Sequence, residues 1–291
     1  MSIDVLQEKI RKLKNPLIVE FSVLPEQIPP HIREGVDAVA AYARFCRELM
    51  EGLKGTVGAV RYSFSQLALM GTDGLAMLSE LLNTARKLGY YVILDAAEVL
   101  TPWGAERAAE AFFAETSQYP CDGLIVSPYI GSDAIKPFIP YCKDAGKDLF
   151  LAVRTPNKSA AKLQDLLTGA RHVYTAAADL VSRYGDPIVG KCGYSRVGAL
   201  TASGVPAVLT ELRGKYKRMF QLVDGLDYPS GNLKNCCAAF DRMGHGAAIS
   251  AGPAITAAWY TAETDGTDYV QQAVQAAERM RKTFSRYLTI V

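Results

Sequence analysis

The sequence predicts one α/β domain folded as a (β/α)8 barrel, the TIM-barrel architecture, over all 291 residues. Three observations carry that prediction. Short apolar runs of strand length alternate with helical patterns along the whole chain, which argues for parallel βαβ units. About eight such units occur, the number that closes a barrel. No low-complexity linker or shift in composition marks a boundary between domains.

The elements follow in order. Residues Ile3 to Leu13 place Val5, Ile10 and Leu13 at helical spacing and suit an extra N-terminal helix closing the bottom of the barrel, ended by Asn15 and Pro16. Pro16 to Ser22 reads as the first strand, followed by a proline-rich turn and a helix from about Val36 to Leu53. Gly55 to Ser63 is the second strand, and Asp73 to Leu88 a helix stopped by Gly89. Further strands are expected at Tyr90 to Asp95, Asp122 to Ser127, Asp148 to Arg154, Pro187 to Gly193, Met219 to Asp224 and Ala247 to Ala251. After the fifth strand comes an elaborated helical connection, interrupted near Gly169 and too small to be a domain. A last helix, Tyr269 to Tyr287, packs along the outside.

Composition narrows the function classes. A net charge of +2 gives no reason to expect nucleic acid or an anionic membrane as partner. No apolar run is long enough to span a bilayer, and the charged opening residues do not read as a signal peptide. Cys46, Cys121, Cys142, Cys192, Cys236 and Cys237 lack metal or redox spacing and read as reduced thiols of a cytoplasmic protein. His31, His172 and His245 have no ligand spacing, so no metal site is expected. The basic run Arg213 to Arg218 reads as a solvated face at the barrel's bottom.

In such a barrel the site lies at the carboxyl ends of the strands. Those ends are Glu20 to Ser22, Arg61 to Ser63, Asp95 to Glu98, Ser127 to Tyr129, Arg154 to Asn157, Gly193 to Ser195, Asp224 to Gly231 and Ser250 to Pro253. Alternation of side chains turns Asp95 toward the mouth. Arg61 and Arg154 can pair with Asp95 or Glu20 as structural ion pairs, or together recognise a carboxylate.

Several segments carry a resemblance. Tyr90 to Gly104 (YYVILDAAEVLTPWG), Ser127 to Ile139 (SPYIGSDAIKPFI), Phe150 to Asp165 (FLAVRTPNKSAAKLQD) and Val197 to Leu200 (VGAL) are similar, in order and spacing, to motifs of the long bacterial orotidine 5'-phosphate decarboxylases. The resemblance covers nearly the whole chain. It implies a barrel that decarboxylates orotidine 5'-monophosphate to UMP without a cofactor, through an alternating Lys-Asp-Lys-Asp array, and that assembles as a homodimer. Carried over residue by residue, the aspartate that ends strand one in the family matches Ser22, the lysine that ends strand two matches Arg61, and the strand-three members of the array match Asp95, Ala97 and Leu100. Substrate contacts fall on Ser22, Ser127, Arg154, Thr155, Asn157, Gly225 and Gly252. A Pro156 replaces the serine that reads the pyrimidine, and Pro229 and Pro253 replace the glutamine and arginine that hold the phosphate.

The chemistry does not survive these replacements. Ala97 has no proton to give, and a guanidinium stays protonated at any working pH. Loss of one acid-base group costs a factor of about 10² to 10⁴, and here several are lost together. The sequence is therefore expected to encode a decarboxylase-like barrel inactive in that reaction, with a remodelled pocket for a small molecule at the mouth. The alternatives are an enzyme of another class using Asp95, Glu98 and the arginines, or a non-catalytic binding or scaffolding protein.

Overall fold

A computed structural model describes residues 2–97 and 101–291. The sequence-based expectations for Glu98 and Leu100 lie outside the described residues. Amphipathic α1 (Ile3–Leu13) comes first and buries Ile3, Leu6 and Ile10. Gln7 of α1 accepts from Gly246 N–H, and Lys9 donates to the Gly89 carbonyl, both just ahead of strands. The helix therefore closes the bottom of the barrel, as expected.

Strand β1 (Leu17–Glu20) leads through a short helix, α2 (Pro30–Arg33), into α3 (Ala38–Leu53), whose N-terminus Asp37 caps by accepting from Ala40 N–H. Strand β2 (Ala59–Ser63) is followed by α4 (Phe64–Ala68) and α5 (Gly71–Lys87), and β3 (Tyr91–Asp95) precedes α6 (Pro102–Phe113). Next come β4 (Gly123–Val126), α7 (Ile139–Asp144) and β5 (Asp148–Ala152). The connection after β5 carries α8 (Ala161–Gln164), a hairpin of β6 (Leu167–Thr168) and β7 (Arg171–His172), and α9 (Val173–Gly185). Gly169 makes the turn of that hairpin at φ +66°, so the interruption read from the sequence is a real change of element. Then follow β8 (Val197–Ala202), α10 (Pro206–Lys215), β9 (Gln221–Asp224), α11 (Leu233–Cys236), β10 (Ala247–Ala251), α12 (Pro253–Thr256), α13 (Ala258–Thr261) and α14 (Tyr269–Ser285).

Strands β1 to β5 and β8 to β10 form a closed, parallel, eight-stranded barrel. Phe150 on β5 is fully buried, and it fits because both facing positions are glycine. A Cβ on Gly123 would lie 2.8 Å from its ring, and one on Gly198 would lie 3.1 Å away. The large ring takes the space that side chains at these two positions would need. All six cysteines are free thiols.

Two expectations are corrected. The sixth barrel strand is β8, not Pro187 to Gly193. The latter precedes it as an irregular excursion in which Gly193 takes φ +85° and Val189 bridges antiparallel to Ser195. The continuous run from Val197 to Ala202, buried at every position, is the segment that a barrel interior requires. Gly193 to Ser195 thus leads into β8 from the bottom and is no part of the mouth. The basic run is also not simply a solvated face. Arg213 is buried, donating through Nε to the Ala239 carbonyl (2.7 Å) and through Nη2 to the Gly246 carbonyl (2.6 Å), where it ties loops together.

Candidate functional site at the barrel mouth

Parallel register sets the site. Arg61 on β2 lies beside Glu20 on β1 and Ile93 on β3, and Ser63 lies beside Asp95. From there the guanidinium reaches across the mouth. Nη1 meets Glu20 Oε2 at 3.0 Å and Asp224 Oδ2 at 3.1 Å, and Nη2 donates to Asp95 Oδ2 at 2.5 Å. Nη1 also donates to Ser250 Oγ at 3.2 Å. One side chain thereby links β2 to β1, β3, β9 and β10. Arg61 is 5% exposed, and its Nε has no partner among the described residues.

The electrostatics follow from this packing. Burial by itself would lower the Arg61 pKa, but Asp224, Glu20 and Asp95 together outweigh it and hold the guanidinium well above its ordinary value. Burial pushes Glu20 up from the usual carboxylate range against the pull of Arg61, and the negative charges of Asp224 and Asp95 add to the rise. The cluster holds one permanent cation among three acids. A guanidinium so placed cannot release a proton, so its chemical capacity is to hold carboxylates.

The second part of the mouth lies at β9 and β10. Asp227 projects from the loop after β9, and its two carboxylate oxygens accept from Gly252 N–H and Ala254 N–H, both at 2.7 Å. These amides flank Pro253, the position at which the sequence resemblance implies a phosphate-holding arginine. An internal carboxylate occupies them. Gly225 takes φ +81°, and a Cβ there would lie 2.3 Å from Pro156 Cβ, so the loops after β9 and β5 meet with no space between them.

The remaining sequence candidates divide. Arg154 does not join Asp95 or Glu20. It forms a forked pair with Asp165 (Nε to Oδ1 2.7 Å, Nη2 to Oδ2 3.0 Å) in its own connection, because the chain after β5 folds back through α8 and brings that acid closer. Thr155 donates to Asn157 Oδ1 at 2.6 Å and receives Gln164 Nε2 at 3.0 Å, so these side chains satisfy one another locally. Ser127 Oγ accepts from Tyr129 N–H at 3.4 Å, which turns the loop after β4. Ser22 stands beside Gly252, whose added Cβ would lie 3.1 Å from Ser22 Oγ. Among the described residues, no group of three or more His, Cys, Asp or Glu side chains is arranged to hold a metal ion.

Sequence reasoning missed the role of Asp224 as an Arg61 partner, and did not foresee Asp227 seated on amides. The signal for the first was an acid ending an otherwise apolar strand, as at Glu20. A cavity of about 520 Å³ beside the mouth was also missed, apart from Ser22 at its edge.

A parallel eight-stranded barrel with a charged constellation at the carboxyl ends of its strands defines the class. No family model matches the chain. The orotidine 5'-phosphate decarboxylase of Rhodopirellula baltica is 30% identical over 266 residues, covering 87% of this chain and 88% of that protein. The orotidine 5'-phosphate decarboxylase of Clostridium novyi is 24% identical over 288 residues, 98% of each chain. The structure of Leishmania donovani OMP decarboxylase superposes with a TM-score of 0.72 at 24% identity, covering 97% of this chain and 99% of that one. The chain belongs to the orotidine 5'-phosphate decarboxylase family.

Proposed function

We propose that this protein is a family member that no longer decarboxylates orotidine 5'-monophosphate and whose barrel serves binding or scaffolding. The observation that carries the reading is the mouth's closure on its own charges. Arg61 is held by Glu20, Asp95 and Asp224 instead of standing free as a proton donor, and Asp227 sits on the Gly252 and Ala254 amides. Ala97 leaves no ammonium at the strand-three position. A dianionic nucleotide would have to displace a carboxylate and would meet its charge.

The alternative of another enzyme class requires Asp95, Arg61 and Arg154 to converge on one open pocket. The pairing of Arg154 with Asp165 favours the scaffold instead. A small-molecule ligand of the mouth, a homodimeric assembly and a cytoplasmic address complete this proposal. Calorimetric melting with UMP tests it: a nucleotide present at 100 times its dissociation constant would raise stability by about 2.7 kcal/mol. No shift is expected up to millimolar UMP, and a rise of several degrees would contradict the reading.

A further inference from the structure

The cavity beside the mouth is built by the chain between β1 and α3 and by the end of α4. Its walls are apolar: Leu24, Ile28, Val36, Ala41, Leu69 and Met70. Three of these are large side chains left in water, with Leu69 87%, Leu24 58% and Val36 50% exposed. The volume of about 520 Å³ lies within the range of about 300 to 1,000 Å³ usual for small-molecule sites.

The cavity is held open by the protein's own hydrogen bonds. Gln66 Nε2 donates to the Val23 carbonyl (3.3 Å), Leu24 N–H to Gln27 Oε1 (2.8 Å), Trp259 Nε1 to the Gln27 carbonyl (2.9 Å) and Tyr42 Oη to the Phe21 carbonyl (2.5 Å). Proline-rich segments around them limit the backbone further. Ordering cost on binding is correspondingly small.

Charge at the rim selects the ligand. Arg33 lines the cavity and is anchored by Nε to the Ile28 carbonyl at 2.8 Å. Among the described residues, its two terminal nitrogens have no partner. That leaves a positioned fork of donors suited to a planar carboxylate. Asp37, also at the rim, accepts from Ala40 N–H and places one negative charge nearby, which disfavours a doubly charged head group.

We propose that this cavity binds an amphipathic monocarboxylate, its apolar body against Leu24, Ile28, Val36, Leu69 and Met70 and its carboxylate on Arg33. The site is separate from the Arg61 cluster and stands whether or not the barrel decarboxylates. Isothermal titration with 4-phenylbutyrate, 4-phenylbutanol and 4-phenylbutylamine tests it on the full chain, with Arg33→Gln and Val36→Glu variants whose melting curves confirm folding. Both substituted residues are exposed. The acid is expected to bind the parent about tenfold more tightly than the alcohol, the size of one charge-assisted pair. Arg33→Gln should bring the acid down to the alcohol and leave the alcohol unchanged, and Val36→Glu should weaken both. Equal binding of acid and alcohol, absence of binding by the acid, or binding untouched by Val36→Glu would each overturn the proposal. So would a dimer in sedimentation velocity that Val36→Glu dissociates, because a second copy would then be the occupant.

Discussion

The two ends of the barrel bury polar side chains in different ways. At the bottom, side chains are tied mainly to backbone: Asp122 accepts from Val92 N–H, Gln7 from Gly246 N–H, and Arg213 donates to three carbonyls. Asp148, bonded there by Tyr91 Oη, lies among groups that close the floor. At the mouth, the acids Glu20, Asp95 and Asp224 all pair with one side chain, Arg61, while Asp95 also accepts from Ala97 N–H and Asp224 from Gly225 N–H. The floor spreads its polar side chains over separate partners, and the mouth gathers three acids on a single cation. That difference teaches that charges gathered on one partner are already engaged before any ligand arrives, which is the basis of the proposed loss of decarboxylation.

The largest expected effect belongs to the floor. Burial raises the Asp148 carboxyl from its ordinary 3.8 to about 8, although Tyr91 lowers it in part. In the pH interval between those values the folded chain holds a proton that the unfolded chain releases. The contribution of this group is therefore fully present below about pH 4 and is lost as pH rises toward 8, a decline of several kcal/mol. Denaturant unfolding across that interval should show the fall in the parent and a flatter profile in Asp148→Asn. An unchanged profile in the variant would place the titration elsewhere.

Next in size is the mouth's cation. Arg61→Ala leaves three acids facing one another, so urea unfolding at neutral pH should show a loss of about 3 to 5 kcal/mol. If the loss is only a few tenths of a kcal/mol, the cluster is not a structural unit and the contrast between the two ends fails. A smaller effect is expected at the loop after β9. Asp227→Ala removes two hydrogen bonds at an exposed position, worth about 1 kcal/mol together. Hydrogen exchange should quicken at the Gly252 and Ala254 amides while those of β10 stay protected. Unchanged exchange there would mean that the amides do not depend on Asp227.

Much of the fold was legible because each strand is a compact apolar run and each helix repeats with its own period. Ile3 to Leu13 is helical over the expected residues, and Ala247 to Ala251 is a strand over the expected residues. The misplacement of the sixth strand arose because Pro187 to Gly193 and Val197 to Ala202 are both short and apolar enough. Only closure of the barrel against β5 and β9 decides between them. At the site, Asp95 and Arg61 were legible as strand ends, and their pairing follows from register. The fork between Arg154 and Asp165 was not, because it depends on a reversal of the chain after β5 that no periodicity encodes. The cavity on the far side of Ser22 was hidden for a similar reason. Its walls come from a turn and two helices, and Leu69 reads as an ordinary helical apolar residue until its exposure is seen.

The most direct test of the closed mouth is turnover itself. Purified protein incubated with orotidine 5'-monophosphate, with product followed by chromatography, should form no UMP above the uncatalysed background, because Arg61 and the Gly252 and Ala254 amides are already engaged. Sustained, enzyme-dependent conversion to UMP would contradict the account.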